Sequence, residues 1–320
     1  LYSNDMWPFH AEYPESYPDL MLYDYDKPIE ILTDQSELTM ELTRKSISFI
    51  EKNKDNPFFL YLAHPQPHVP LFASSKFRGR SDHGLYTDVI EEIDHSLGLI
   101  METLKKNNLD KNTVVVFTSD NGPWLSYGGH AGSTGIYREG KGTTWEGGQR
   151  VPCIVWYPNE IKPNSVIKTP LMGIDWLPTF AKITNASLSE NKIDGKNIWE
   201  NLTGKTDSDP HEALFFYYHK NSLHGVRYGD YKMYFPHRYR TLNGKIGRND
   251  GTPIKYEYVD LKENELYNLK TDPSETINIV NEFPEIAKKI IVLANKKRRE
   301  IGDDLTNVIG LENREIGMID

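Results

Sequence analysis

The sequence predicts an α/β protein: a mixed or parallel sheet flanked by helices, with a smaller C-terminal antiparallel α+β subdomain. Three observations carry this. Continuous apolar runs at 58–63 and 113–118 have the length and composition of strands buried on both faces. A helix-period segment lies between them, and strand–helix–strand order implies a parallel crossover. Beyond about residue 205 the texture changes to short aromatic runs joined by tight turns, the pattern of an antiparallel sheet. The boundary therefore falls between 1–205 and 206–320.

Residues 1–35 hold Pro8, Pro14, Pro18 and Pro28 among tyrosines and aspartates, so an irregular loop region is expected. A helix is expected over 38–53, where Leu42, Ile47, Phe49 and Ile50 are apolar, and Asn56-Pro57 ends it. Phe58-Phe59-Leu60-Tyr61-Leu62-Ala63 follows as the first strand. Over 86–107, Val89, Ile90, Ile93, Leu97, Ile100, Met101 and Leu104 recur every three or four residues, which marks the clearest helix. Thr113-Val114-Val115-Val116-Phe117-Thr118 is the second strand and a glycine-rich loop fills 120–150. A third strand spans 152–157 with Cys153 buried in it, and a helix covers 172–184. In the subdomain, Leu214-Phe215-Phe216-Tyr217-Tyr218, Gly225-Val226-Arg227-Tyr228 and Tyr231-Lys232-Met233-Tyr234-Phe235 are strands, and 284–301 is a closing amphipathic helix. Lys296-Lys297-Arg298-Arg299 reads as that helix's solvated face.

A chain of 320 residues has room for about two domains. Lys plus Arg number 37 against 46 Asp plus Glu, a net charge of −9, which speaks against a nucleic-acid binder. One cysteine excludes an intrachain disulfide framework and a four-cysteine zinc site. No stretch approaches the roughly 18 apolar residues of a membrane span. The opening Leu1-Tyr2-Ser3-Asn4-Asp5 carries no export-signal pattern and reads as the interior of a longer protein. Aromatic residues reach 12%, which suits a surface for a flat or sugar-like ligand.

Three constellations carry chemistry. Phe117-Thr118-Ser119-Asp120-Asn121-Gly122-Pro123 puts a carboxylate and an amide at the C-terminal end of a strand, the edge where parallel sheets bind ligands. Both offer hard oxygens suited to Ca²⁺ or Mg²⁺, although Asp-Asn-Gly is also ordinary turn chemistry. In Gly140-Lys141-Gly142-Thr143-Thr144-Trp145-Glu146-Gly147-Gly148-Gln149-Arg150, glycines flank Lys141, so backbone and ammonium can approach an anion closely. A flexible surface loop with an incidental lysine is the other reading. It is not an NTPase phosphate loop, because Gly142 stands where Ser or Thr would follow the lysine. His64-Pro65-Gln66-Pro67-His68-Val69-Pro70 sets two histidines after a strand, suited to acid–base work, to metal binding or to a plain exposed loop.

Taken together the motifs resemble a known family. The order Pro57-Phe58-Phe59-Leu60-Tyr61, His68-Val69-Pro70, Tyr86-x-Asp88-x-x-x-Glu92-x-Asp94, Phe117-Thr118-Ser119-Asp120-Asn121-Gly122 and Gly140-Lys141-Gly142-x-x-Trp145-Glu146-Gly147-Gly148-x-Arg150-Val151-Pro152 is similar to the sulfatase family, arylsulfatase A-like branch. Asp175-Trp176-Leu177-Pro178-Thr179, Asp194-Gly195 and Glu265-Leu266-Tyr267-Asn268-Leu269-x-x-Asp272-Pro273-x-Glu275 match it too, so the resemblance covers nearly the whole chain. It implies an alkaline-phosphatase-like fold and hydrolysis of a sulfate ester on a sulfated small molecule or saccharide, with a sulfated carbohydrate expected. By position, Asp120 and Asn121 match calcium ligands, Lys141 matches the lysine that binds the sulfate, and His68 matches the histidine at the leaving-group oxygen, a general-acid candidate. The implied location is periplasmic or secreted, or lysosomal in a eukaryote.

The sequence also departs from the family. Members use a formylglycine made from Cys or Ser in a Cys/Ser-x-Pro-x-Arg motif, and no such motif occurs here; Cys153, in a strand, is not the nucleophile. The nucleophile, its arginine and the first calcium-ligand Asp pair are expected in an N-terminal segment of the same protein, which acts as this chain's partner. The chain alone is expected to be inactive. Two alternatives stand beside this reading: a phosphomonoester or phosphodiester hydrolase of the same superfamily, and a non-catalytic relative that binds sulfated glycans. Ser81-Asp82-His83-Gly84 resembles the Asp-His metal motif of two-zinc phosphatases, but it follows no strand, and Asn121 suits calcium rather than zinc. Substrate contacts are expected from His237, Arg238 and Arg240, in a loop read after a strand, and from His130 and Arg138 in the 124–138 loop.

Overall fold

The computed structural model describes residues 20–32 and 34–314. Its first element is a hairpin of β1 (Met21–Asp24) and β2 (Lys27–Ile31), turned by Tyr25 at φ 55°. The irregular loop expected over 1–35 thus contains a strand pair, and the part over 1–19 lies outside the described residues. Pro28 sits opposite Tyr23 where the register shifts, a place that asks no ladder hydrogen bond of it.

The chain forms two compact units. The first holds the residues through Thr113, with Pro123–Ser133 and Leu242–Glu257; the second holds Val114–Gly122, Thr134–Thr241 and the chain from Tyr258.

In the first unit, α1 (Leu38–Asn53) and α2 (Leu85–Lys106) form within a residue of the expected spans. Their buried stripes, Thr39, Thr43, Ser46 and Ile50 on α1 and Val89, Ile93, Ser96, Ile100 and Leu104 on α2, follow helical spacing. Thr43 Oγ1 and Ser96 Oγ bond at 2.6 Å where the helices meet. Two of the three acids of the α2 motif, Asp88 and Glu92, are buried, and Asp94 is exposed. Asp88 accepts from the amides of Gly79 and Ser81, both at 2.8 Å, and Glu92 accepts from Ser74 N at 2.9 Å. Burial alone would raise the Asp88 carboxyl, but these bonds outweigh it and hold it low. Asp82 and His83 are exposed.

The strand expected over 58–63 does not form as a paired strand. Phe58, Leu60 and Leu62 are half-buried, with Phe58 edge-on to Phe49 at 5.8 Å. Phe59 and Tyr61 are 72% and 81% exposed. Burial alternates along the run, half-buried then exposed, and an apolar run cannot distinguish one packed face from two.

In the second unit, β3 (Val115–Thr118) pairs with β4 (Cys153–Trp156) antiparallel, Val116 opposite Val155. The expected parallel crossover is therefore absent among the described residues, while the mixed α/β class holds. Cys153 is exposed rather than buried, because it lies at the end of a strand whose outer residues are uncovered. Short helices α3 (Glu146–Gln149), α4 (Trp176–Thr184) and α5 (Trp199–Leu202) follow. Asp175, fully buried before α4, accepts from Lys196 N and His211 Nε2, each at 2.8 Å, which ties three segments together.

The C-terminal strands are β5 (Leu214–Tyr218), β6 (Ser222–Tyr228), β7 (Tyr231–Tyr234), β8 (His237–Thr241), β9 (Glu257–Leu261) and β10 (Glu265–Asn268). Four of them form an antiparallel sheet in the order β10-β7-β6-β5. Side chains alternate between its faces. Val226, Met233 and Leu266 share one face and pack on Ala287, Ile290, Leu293 and Ala294 of α6 (Pro284–Ile301). Arg227, Lys232, Tyr234 and Tyr267 occupy register positions on the other face.

Candidate active site

The end of β3 is pressed against the glycine-rich segment. Gly122 N donates to Gly148 O at 3.0 Å, and a Cβ on Gly122 would stand 1.8 Å from Gly147 O, so only glycine fits. Asp120, exposed beside it, accepts through Oδ1 from Asn121 N at 2.9 Å and from Asn121 Nδ2 at 2.8 Å. One carboxylate and one amide thus sit head to head at an accessible strand end. Their oxygen donors fit Ca²⁺ or Mg²⁺ and lack the nitrogen and sulfur that zinc favours. Among the described residues no three His, Cys, Asp or Glu side chains gather as a metal site, so these two would be part of a ligand set.

The Lys141 segment is not a flexible loop. Thr143 Oγ1 donates to Gly140 O at 2.9 Å, Gln149 Nε2 to Thr143 O at 2.8 Å, and Gly147 N to Arg138 O at 2.8 Å. Trp145 is fully buried among Tyr234, Tyr239 and Tyr267. Lys232 Nζ, also fully buried, donates to Thr144 O and to Glu146 Oε1, both at 2.7 Å. Tyr234 OH donates to Thr144 O at 3.1 Å and to Glu275, whose Oε2 accepts from Glu146 N at 2.9 Å. Burial pushes the Glu146 carboxyl up, but Lys232, Arg227 and Arg150 together hold it below the usual range. Burial wins at Glu275, which is raised. The network is therefore an ionised Glu146 against Lys232, with Glu275 the carboxyl readier to take a proton.

Several expected substrate residues lie inside this scaffold. Arg138 stacks over Trp145 at 3.6 Å and donates to Tyr267 OH, Tyr239 OH and Glu275 O. A guanidinium so engaged holds the loop. Arg240 Nε donates to Lys141 O at 3.0 Å, and its Nη2 reaches the same oxygen. His237 to Arg240 form strand β8 rather than a loop, and alternation turns His237 and Tyr239 inward and Arg238 outward. His237 is 5% exposed, its Nδ1–H donates to Phe235 O at 2.7 Å, and its ring stacks on His224 at 4.0 Å. It is a core histidine, not a rim residue. Arg238 alone of this group stays exposed, over Tyr258 at 4.9 Å.

The stacked histidines give a pH prediction. Burial, with His237 and His219 nearby, pushes His224 down to about 3. A histidine depressed in the folded state stabilises fully above its unfolded value near 6.5 and progressively less as pH falls towards 3. At pH 5 the loss is about 2 kcal/mol. Denaturant titrations from pH 7.5 to 4.5 should show a shallower decline for His224→Phe than for wild type; equal slopes would exclude His224 as the source.

The first unit carries the other expected residues. His68 is half-buried; its Nδ1–H donates to Val69 O at 2.8 Å, which makes Nε2 the nitrogen that would pass a proton to a ligand. The Trp124 ring lies 5.7 Å from it and edge-on to Tyr127 at 4.9 Å, a neighbour that sequence reasoning had no period or motif to reveal. His64 bonds Ser96 Oγ through Nε2 at 3.1 Å and belongs to the helix packing. His130 is half-buried; burial lowers it while Asp250 opposes. Its loop is held by an excursion over 242–257 that the sequence reading passed over: Gly129 N donates to Arg248 O and Ile254 N to Ser126 O, both at 3.0 Å. The expected 124–138 wall divides between the units, His130 in the first and Arg138 in the second.

Known proteins resemble this chain throughout. A sequence model of the sulfatase family matches residues 4–186, and one of the C-terminal region of aryl-sulfatase matches 209–314. Steryl-sulfatase of Rattus norvegicus is 40% identical over 191 residues, 58% of this chain and 33% of its own length. Arylsulfatase of Hemicentrotus pulcherrimus is 32% identical over 83% of this chain and 50% of its own length. Arylsulfatase A of Homo sapiens is 34% identical over 72% of this chain and 45% of its own. The chain thus spans half the length or less of these relatives. A solved structure described under metabolism of multiple glycosaminoglycans by Bacteroides thetaiotaomicron superposes with TM-score 0.70 at 30% identity, covering 84% of this chain and 56% of that one. The PsFucS1 sulfatase from Pseudoalteromonas sp. shares the fold, with TM-score 0.75 at 24% identity over 88% of this chain and 57% of that one. With Asp120-Asn121 at a strand end beside the Lys141 segment, and family matches running from residue 4 to residue 314, the chain belongs to the sulfatase family, in its arylsulfatase A-like branch.

Proposed function

We propose that this chain is the metal-, sulfate- and leaving-group-binding part of an exported enzyme that hydrolyses sulfate esters of carbohydrates. Residues 1–205 would be its share of the catalytic domain and 206–320 the C-terminal subdomain. The observation that carries the reading is the Gly122–Gly148 bond, which puts the Asp120-Asn121 oxygens and the Lys141 segment in one unit. A sulfate monoester carries one negative charge and must part from an alkoxide. Ca²⁺ held by Asp120 and Asn121 would supply positive charge beside the sulfate. Lys141 would bind the sulfate oxygens, and His68 would deliver a proton from Nε2 to the leaving oxygen. The formylglycine nucleophile belongs to a segment outside these 320 residues, consistent with the absence of its motif here. Exposed Arg238, and His130, are the candidate contacts for the rest of the substrate. The relative described for glycosaminoglycan metabolism supports a saccharide; the steryl-sulfatases make steryl sulfate the comparison substrate.

The test is metal content and turnover of the complete protein. One calcium per chain is expected. Asp120→Ala should lose the calcium and nearly all sulfate release. Stoichiometric zinc in its place would overturn the sulfatase reading in favour of a phosphatase of the same superfamily.

A further inference from the structure

Arg240 turns its guanidinium into the protein's own backbone. Both Nε, at 3.0 Å, and Nη2 donate to the carbonyl oxygen of Lys141. The next residue, Gly142, has φ 86°, and a Cβ there would stand 2.2 Å from Arg240 Nη2. The loop therefore lies directly on the guanidinium, with no side chain between. On either side the segment is anchored to C-terminal strands. Upstream, Thr241 Oγ1 donates to Glu139 Oε1 at 2.7 Å. Downstream, Lys232 Nζ and Tyr234 OH hold Thr144 O at 2.7 and 3.1 Å. Between these anchors, Arg240 donates to the peptide that carries Lys141.

We infer that Arg240, backed by Lys232, is a positioning residue for the sulfate-binding lysine: it fixes the backbone from which Lys141 projects and so sets where the ammonium stands. This rests on the reading of Lys141 given above. The fork geometry matters, because a planar guanidinium can place two N–H groups on one oxygen while lying flat against the glycine; a lysine ammonium is a point charge on a flexible stem. The consequence is that Arg240, a residue of the C-terminal subdomain, shapes the site's chemistry without itself touching substrate. A displacement of about 1 Å at a reacting group can cost on the order of 100-fold.

The test uses the complete enzyme with Arg240→Lys and Arg240→Ala, each alone and on Lys141→Ala. Substrates are 4-nitrophenyl sulfate and a sulfated saccharide, and inorganic sulfate is the inhibitor. Arg240→Lys should lower kcat/KM by about 10–100-fold, by the same factor on both substrates, and should weaken inhibition by sulfate. On the Lys141→Ala background the Arg240 changes should add nothing, since residues acting through one another are not additive. Loss on the saccharide alone would mean a substrate contact and overturn the inference. So would a full further loss on Lys141→Ala, or a lowered melting temperature with unchanged sulfate inhibition. Undiminished turnover by Lys141→Ala itself would instead overturn the reading of Lys141.

Discussion

Lys141→Ala in the complete enzyme should lower kcat/KM for sulfate esters by about 10²–10³-fold, the effect of removing one preorganised donor from a developing charge. The segment around Lys141 makes this expectation sharp. Trp145 is buried behind it and Gly140, Thr143, Gln149 and Arg240 hold it by hydrogen bonds, so the loop should keep its shape when the side chain is cut back. The loss should be similar for 4-nitrophenyl sulfate and for a sugar sulfate, because the sulfate is common to both. His68→Ala should behave differently. A sugar alkoxide needs a proton to leave and nitrophenolate does not, so the sugar sulfate should lose far more. Steady-state kinetics on the two substrates check both. Undiminished turnover by Lys141→Ala would remove it from the site, and equal losses for His68→Ala would remove His68 from the acid role.

Lys232→Met should destabilise the protein by about 3–5 kcal/mol, the cost of breaking a buried pair by removing one partner. Lys232 and Glu275 are fully buried and Glu146 nearly so. With Lys232 gone, Arg227 and Arg150 still face Glu146, but buried Glu275 loses the cation beside it and is best accommodated by taking up a proton. Its folded value then rises further above the unfolded range near 4.3. A group raised in the folded state stabilises below its unfolded value and loses that contribution as pH rises. The deficit against wild type should therefore be small near pH 5 and grow towards pH 8. Urea unfolding at both values measures it. A deficit independent of pH would show that lost packing, not uncompensated charge, is responsible.

Much of this was readable in the chain. The helices over 38–53 and 284–301 follow from apolar spacing and from proline or asparagine at their ends, both local features, and the structure reproduces those spans. The C-terminal strands were legible because aromatic alternation is strong and turns such as Gly229-Asp230 separate them. The apolar run at 58–63 differs from the expectation because burial of its second face depends on what covers it, and composition cannot say that. His237 and Arg240 were misplaced for a related reason. The pattern His-Arg-Tyr-Arg looks like a cationic loop, yet in strand β8 alternation turns His237 inward, while Arg240, on the same face as exposed Arg238, is half-buried because it donates to the Lys141 carbonyl.

The sequence by itself determined the family, the long helices and three of the four strands of the subdomain's sheet, and it put Asp120, Asn121, Lys141 and His68 forward as candidates, because these rest on residue type, spacing and order. Tertiary structure alone decided which charges are spent on the protein itself. Lys232 in an aromatic strand and Glu275 after Asp272-Pro273 carried only the signal of a charge at an inward-facing position. Their meaning appears when β7 and the 272–275 turn come against the 138–146 segment and Lys232 meets Glu146. Arg138 and Arg240 likewise look like anion binders in the sequence. An arginine becomes a scaffold or a substrate contact according to which acceptor the fold brings within about 3 Å. Here those acceptors are Glu275 O, the tyrosine hydroxyls and the carbonyl of Lys141.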